Sequence, residues 1–164
     1  MLAAEAGQIP VMSLERLRGS DGDRRSLADE LTAVYHDIGF AVLVDHGLPE
    51  GLLDAVFDMM GSFFTLPDEQ KRLIDKSTSP YFRGWESVGT ELTNNRPDIR
   101  EQIDVWSEHP PSDQADGPDY LKLLGPNQWM PDDILPGQQK LALDWFEQLG
   151  MLADEVLSLF AVGL

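Results

Sequence analysis

The sequence predicts a mixed α/β chain of the α+β kind, with helices packed on a few short strands. Three observations predict it. Apolar residues recur at helical spacing over 26–38, 49–64 and 137–162. Between the first two lies Phe40–Val44, a continuous apolar run of strand length. Turn-forming residues, Gly39 and Pro67 among them, punctuate each change of period.

Ile9 to Leu14 is a short apolar segment whose Pro10 sits near its start, where a strand tolerates proline. Ser26 fits an N-cap, with Asp29 three positions later. Leu27, Leu31, Val34, Tyr35 and Ile38 then form an apolar face, and Gly39 is placed to end the helix. The unbroken run Phe40–Val44 implies a strand buried on both faces. Pro49 opens a second helix with Leu52, Val56, Met60 and Phe63 on one face. Leu66-Pro67 breaks it, and 68–71 begins another short helical piece.

Ser79 to Trp85 reads as extended and aromatic, 90–97 as a polar loop, and 100–108 as a strand. The stretch 110–136 is proline-rich and reads as a long surface connection without regular structure. The boundaries expected are therefore 1–111 for a first domain, 112–135 for the connection, and 136–164 for a long helix. That helix carries an apolar stripe of Trp145, Leu149, Leu152, Val156, Leu159 and Phe160, and no cap or polar tail follows. The expectation is that the stripe lacks cover within these residues, leaving the chain alone poorly stable or self-associating.

Composition narrows the function. With 164 residues, 42% of them hydrophobic and 25% charged, the chain is globular and makes one domain or part of one. A net charge of -17 has the wrong sign for a nucleic-acid backbone or an anionic membrane. The absence of cysteine removes disulfides, thiolate nucleophiles and Cys-based metal sites, and suits a reducing cytoplasm. The N-terminus has neither the basic nor the apolar region of a secretory signal, and no run is long enough to span a bilayer. A soluble cytoplasmic protein is expected, with no nucleic-acid or membrane partner.

Candidate chemistry is sparse. No His is followed two positions on by a carboxylate: His36, His46 and His109 precede Asp37-Ile38, Gly47-Leu48 and Pro110-Pro111. The His-x-Asp half of a facial iron triad is therefore missing, so no metal ligand and no catalytic residue is assigned. Asp45, His46 and Gly47 read as a structural turn, with the imidazole bonded to nearby backbone. Asp98, Glu101 and Asp104 would share a face only on a helix; on an extended segment their expected role is to pair with basic groups. Tyr81, Phe82, Arg83 and Trp85 are the candidates for contact with a substrate, since aromatic rings and one Arg beside Gly84 can line a pocket and hold a carboxylate. The alternative is that the aromatics pack in the core and Arg83 lies at the surface. Gly-x-Gly-x-x-Gly, phosphate-loop and Gly-x-Ser-x-Gly motifs are absent.

The order Ile9-Pro10-Val11, Gly39-Phe40, Asp45-His46-Gly47, Phe63-Phe64-Thr65-Leu66-Pro67 with Lys71, Gly84-Trp85 and Gly125-Pro126-Asn127-Gln128-Trp129 resembles the N-terminal region of the non-haem Fe(II)/2-oxoglutarate oxygenases of the isopenicillin N synthase-like family. Two departures stand out: Asp45 where the family usually has Asn, and Met130 inserted before Pro131. The resemblance implies the N-terminal part of a double-stranded β-helix (jelly-roll) oxygenase. The intact enzyme would use Fe(II), oxygen and usually 2-oxoglutarate on a small organic substrate, with the iron held by a jelly-roll catalytic segment that this sequence does not reach. It also implies that the His of the Asp-His-Gly turn is not an iron ligand and that residues 81–85 fold over the pocket mouth. No cofactor is then expected for this chain alone. The other function class left open is a non-catalytic acidic module that binds another protein; a His-x-Asp motif in coding sequence beyond Leu164 would discriminate against it.

Overall fold

The computed structural model describes residues 9–111 and 118–164. In chain order the elements are β1 (Val11–Ser13), α1 (Asp21–Asp37), β2 (Val42–Val44), α2 (Leu52–Phe64), α3 (Asp68–Lys71), β3 (Gly84–Glu86), β4 (Leu92–Thr93), β5 (Arg96–Pro97), β6 (Gln102–Asp104) and α4 (Gln138–Gly163). The expected class, helices with a few short strands, is the one found. The strands pair only two by two among the described residues: β1 with β2 in parallel, β3 with β6 and β4 with β5 antiparallel. The chain divides into two compact units, residues 1–50 with 147–164, and residues 51–146.

In the first unit, α1 begins five residues before the expected Ser26. Ser20 caps it by accepting from the Asp23 backbone N–H, and Asp23 returns the bond to the Ser20 N–H at 2.9 Å. This reciprocal box satisfies two N-terminal donors that Ser26, inside the helix, cannot reach. Gly39 ends the helix as expected, at φ 94°, with its N–H on the Val34 carbonyl. The strand expected over Phe40–Val44 is shorter and is not buried on both faces: Phe40 and Val42 are 53% and 46% exposed. With β1 as its one partner among the described residues, Ala41 and Leu43 face the core.

That core joins Met12, Leu14, Leu17, Leu27, Ala28, Leu31 and Leu159, with Leu152, Val156 and Phe160 packed against it. Phe160 meets Tyr35 edge-on at 5.0 Å between ring centres. The expectation of an uncovered terminal stripe is therefore corrected for its second half, which α1 covers. The helices approach so closely that a Cβ at Gly163 would lie 2.2 Å from Thr32 Oγ1. Arg25 donates to the Val162 carbonyl at 2.7 Å, satisfying one of the free carbonyls at the helix end.

In the second unit, α2 starts at Leu52 behind Gly51, later than Pro49 suggested. Its Phe63 is fully buried with Ile74, Trp85, Met130 and Leu135. The stretch expected to be a polar loop forms the β4–β5 hairpin, whose Asn94 and Asn95 both take positive φ, 53° and 60°. Two successive left-handed residues match the twist of a two-residue hairpin, and Asn tolerates that conformation. The connection after Pro110 departs from expectation in two ways: a 3-10 turn covers Asp119–Leu123, and Asn127, Met130 and Leu135 are buried. Residues 112–117 lie outside the described residues.

Removing the buried side chain in Leu159→Ala should cost about 3 kcal/mol, the usual range for a buried leucine. Leu157, 63% exposed on the same helix, should change stability by less than about 0.5 kcal/mol when truncated. Urea unfolding of the two variants measures the difference.

Candidate functional site

The turn 45–47 in the first unit is held from both sides. Asp45 takes φ 53°, its Oδ2 accepting from Ser13 Oγ at 2.6 Å and its carbonyl from Arg18 Nη1 at 3.2 Å. His46 Nδ1 accepts the Leu48 backbone N–H at 3.2 Å. Gly47, at φ 80°, leaves room for the Arg18 guanidinium, which a Cβ there would strike. His36 is mostly exposed beside Asp37, and His109 lies in the second unit. Among the described residues no three His, Cys, Asp or Glu side chains come together to hold a metal ion. The donor set a facial iron site requires is not assembled by these described residues.

The acidic residues around β6 meet cations. Glu101 Oε2 accepts from Lys71 Nζ at 2.7 Å and from the Trp85 indole N–H at 2.8 Å. Lys71 is almost entirely buried. Burial opposes its charge, yet the bonds to Glu101 and Asp68 outweigh that cost and raise its pKa. Lys76 behaves alike: burial disfavours its charge, while Asp104 and Glu86 raise its pKa overall. Its Nζ lies 3.1 Å from Glu86 and 2.7 Å from Asp104 Oδ2, the latter at ion-pair distance without hydrogen-bond alignment. Asp98 instead accepts from Thr93 Oγ1 at 3.0 Å. Lys71, the last residue of α3, is thus tied to Glu101 just before β6, and Lys76, in a 3-10 turn that follows, to both strands of the β3–β6 pair.

Residues 81–85 separate into two kinds. Trp85 and Arg83 are buried, at 1% and 0% exposure, so Arg83 is not the surface residue of the alternative reading. Its Nη1 donates to the Tyr81 carbonyl and its Nη2 to the Leu123 carbonyl at 3.1 Å. The guanidinium lies 4.2 Å from the centre of the Trp106 ring. Burial lowers the Arg83 pKa, opposed by Asp104 and Glu108. Tyr81 is half-buried, and its ring occupies the space a Cβ at Gly125 would need. Phe82 is 62% exposed and sits at φ 63°, with Lys76 Nζ 4.3 Å from its ring centre.

The stretch after Gly125 supplies the residues that sequence reasoning did not single out as functional. Asn127 copies a strand partner: it accepts from the Trp106 N–H at 2.9 Å and donates to the Trp106 carbonyl at 2.7 Å. Gln128 Nε2 donates to the carbonyls of Asp75 and Arg83, at 3.0 and 2.7 Å. The order of this motif was visible, but its amides gave no sign of which backbone they would meet. Two of the depressions in this unit contrast in character. One, about 190 Å³, is mostly apolar, with Val56, Met60, Ile103, Leu141 and Trp145 in its lining. The other, about 470 Å³, is the more polar of the two and contains Asp75, Lys76, Phe82 and Glu86. The polar one holds the groups capable of selecting a ligand.

Glu101→Ala strips Lys71 of its buried partner and leaves the Trp85 N–H unpaired, so it should cost about 3–4 kcal/mol. The double variant Lys71→Met with Glu101→Leu should recover most of that loss in urea unfolding. Lys71 and Lys76 hold their protons more tightly folded than unfolded. Their contribution is therefore complete below about pH 10.4 and fades as pH rises through the raised folded values.

Residues 9–132 match the family described as non-haem dioxygenase in morphine synthesis, N-terminal. The 2-oxoglutarate-dependent dioxygenase frbJ of Dothideomycetidae sp. is 34% identical over 156 residues, covering 95% of this chain and 41% of frbJ. Homoarginine-6-hydroxylase 2-ODD-C23.1 of Arabidopsis thaliana is 29% identical, over 78% of this chain and 40% of that protein. Among solved structures, a full-length Neurospora crassa protein in complex with alpha-KG superposes with a TM-score of 0.76 at 25% identity, over 98% of this chain and 48% of the Neurospora one. A further structure of that Neurospora protein holds alpha-KG and thymine. The chain spans less than half the length of frbJ and of the plant hydroxylase, and about half that of the Neurospora protein. No described helix is long and apolar enough to cross a membrane. With the match running through both units and the short-strand fold shared with the Neurospora protein, the chain belongs to the N-terminal family of the non-haem 2-oxoglutarate-Fe(II) dioxygenases.

Proposed function

We propose that the chain is the scaffold and substrate-lid part of an Fe(II)/2-oxoglutarate-dependent oxygenase that oxidises a small organic substrate, and that it is not catalytic alone. One observation carries this reading: a family match over 9–132 coincides with described residues that bring no three metal-ligand side chains together. Iron and 2-oxoglutarate would be held by a jelly-roll catalytic segment. In this division, 1–111 forms the N-terminal domain, 112–135 the connection, and 136–164 the helix leading into that segment. Thymine in the Neurospora protein and homoarginine in the plant hydroxylases are small, nitrogen-rich molecules, which supports a substrate of that size. Tyr81, Phe82, Arg83 and Trp85 would form the substrate-facing part, Phe82 by its exposure and the others by holding it.

The 164-residue chain, supplied with Fe(II), ascorbate and 2-oxoglutarate, should form no succinate, whereas the chain joined to its jelly-roll segment should. Saturable Fe(II) binding with succinate formation by the chain alone contradicts the proposal. In the joined enzyme, Arg83→Ala should raise the substrate KM about tenfold while metal content stays unchanged. An equal loss of iron would make Arg83 a purely structural residue.

A further inference from the structure

We propose that the polar depression beside Phe82 binds a cationic, N–H-rich group, a guanidinium or primary ammonium carried by a small molecule, with Phe82 as its stacking surface. This rests on the reading of residues 81–85 as substrate-facing, and it reverses the expectation that the segment selects a carboxylate. Arg83, the residue that would have held one, is buried and commits its guanidinium to backbone carbonyls and the Trp106 face.

Phe82 is held in a left-handed backbone conformation. A non-glycine residue at φ 63° occupies a sparsely populated conformation, which persists only where the surroundings impose it. Here they do: Arg83 draws in the Tyr81 carbonyl, and Gln128 fixes the Arg83 carbonyl. The outcome of that constraint is a large apolar ring left 62% exposed. Folding alone gains nothing from exposing a phenyl ring. The ring already receives one cation, Lys76 Nζ at 4.3 Å, so its electron-rich face is used as a cation acceptor.

The surroundings of the ring are acidic. Asp75 and Glu86 line the depression, and Ser87 and Thr90 add hydroxyls. Lys76 is not available to an incoming anion, because Glu86 and Asp104 already pair with it. The lining itself holds two carboxylates, Asp75 and Glu86, against one cation, Lys76. Asp75 stays ionised, its pKa lowered by hydrogen bonds from the Ser77 hydroxyl and N–H. An entering carboxylate would have to displace Glu86 or Asp104 from Lys76. An entering guanidinium finds acceptor oxygens and an aromatic face, the pairing that planar cations favour.

The test titrates the 164-residue chain with agmatine, using glutarate as the anionic control, and follows backbone and aromatic NMR signals. Saturable binding of agmatine is expected at about 1 mM or tighter, with shifts clustered at Phe82, Glu86 and Asp75, and markedly weaker binding of glutarate. Phe82→Ala, which removes an exposed ring and so should leave the fold intact, is expected to weaken agmatine about tenfold. Phe82→Tyr should keep the affinity. No saturable agmatine binding, equal binding of glutarate, or indifference to Phe82→Ala overturns the proposal. Because the readout is binding to this chain, failure here is separable from failure of the joined enzyme to make succinate.

Discussion

Glu101 accepts a hydrogen bond from a buried ammonium and another from a buried indole, and the second unit is arranged around that oxygen. Its strands are two or three residues long and pair only two by two among the described residues, so ladder bonds alone give them little stability. The carboxylate ties Lys71, just after the Leu66-Pro67 break, to Trp85 at the centre of β3. Trp85 in turn packs with Phe63 and Met130. An unpaired buried ammonium would cost several kcal/mol, comparable to a large part of a domain's net stability. Charge pairing therefore fixes where the strand lies, and apolar packing fills the space around it.

Side chains stand in for backbone partners wherever regular structure is missing. Asn127 and Gln128 present side-chain amides to Trp106, Asp75 and Arg83 in place of neighbouring strands, and Arg83 presents its guanidinium to three carbonyls. Buried backbone groups need partners, and in this unit side chains supply them. Gly84 and Gly125 permit it: a Cβ at Gly84 would fall 2.2 Å from the Ile74 carbonyl, and one at Gly125 would enter the Tyr81 ring. The consequence is a short segment with its interior residues clamped and one residue, Phe82, turned outward. Position 82 is thus set by bonds made at 81, 83 and 128.

Much of the fold was legible where a local rule acts alone. The long helix followed from periodicity, and Gly39 and Leu66-Pro67 stopped their helices because backbone conformation decides there. Misreadings arose where two local signals competed or where the deciding partner was distant. Ser26 fits an N-cap with Asp29, but the cap is Ser20, to whose N–H Asp23 returns a bond. Phe40–Val44 reads as doubly buried, but burial depends on how many strands lie alongside, and among the described residues only β1 does. Residues 125–135 carry the composition of a surface loop, while their amides and Met130 are drawn inward by residues far earlier in the chain. For the site, the carboxylate–lysine pairing was foreseeable from charge pattern. The burial of Arg83 and the exposure of Phe82 were not, since both depend on the positive φ at Phe82 and on carbonyls contributed by Leu123.

Family membership and this construction answer different questions. The first says which chemistry the relatives perform; the second says what these residues build, a charge-clamped segment with one ring, Phe82, turned outward. The clamp depends above all on the Trp85–Glu101 bond. Hydrogen exchange of the Trp85 indole N–H measures it directly, with the indole of the half-exposed Trp106 as an internal reference. The expected result is that the Trp85 proton exchanges only through opening of the whole unit, as slowly as the best-protected amides. Exchange as fast as that of Trp106 would mean that the indole is not held, and that the clamp is absent as an organising constraint.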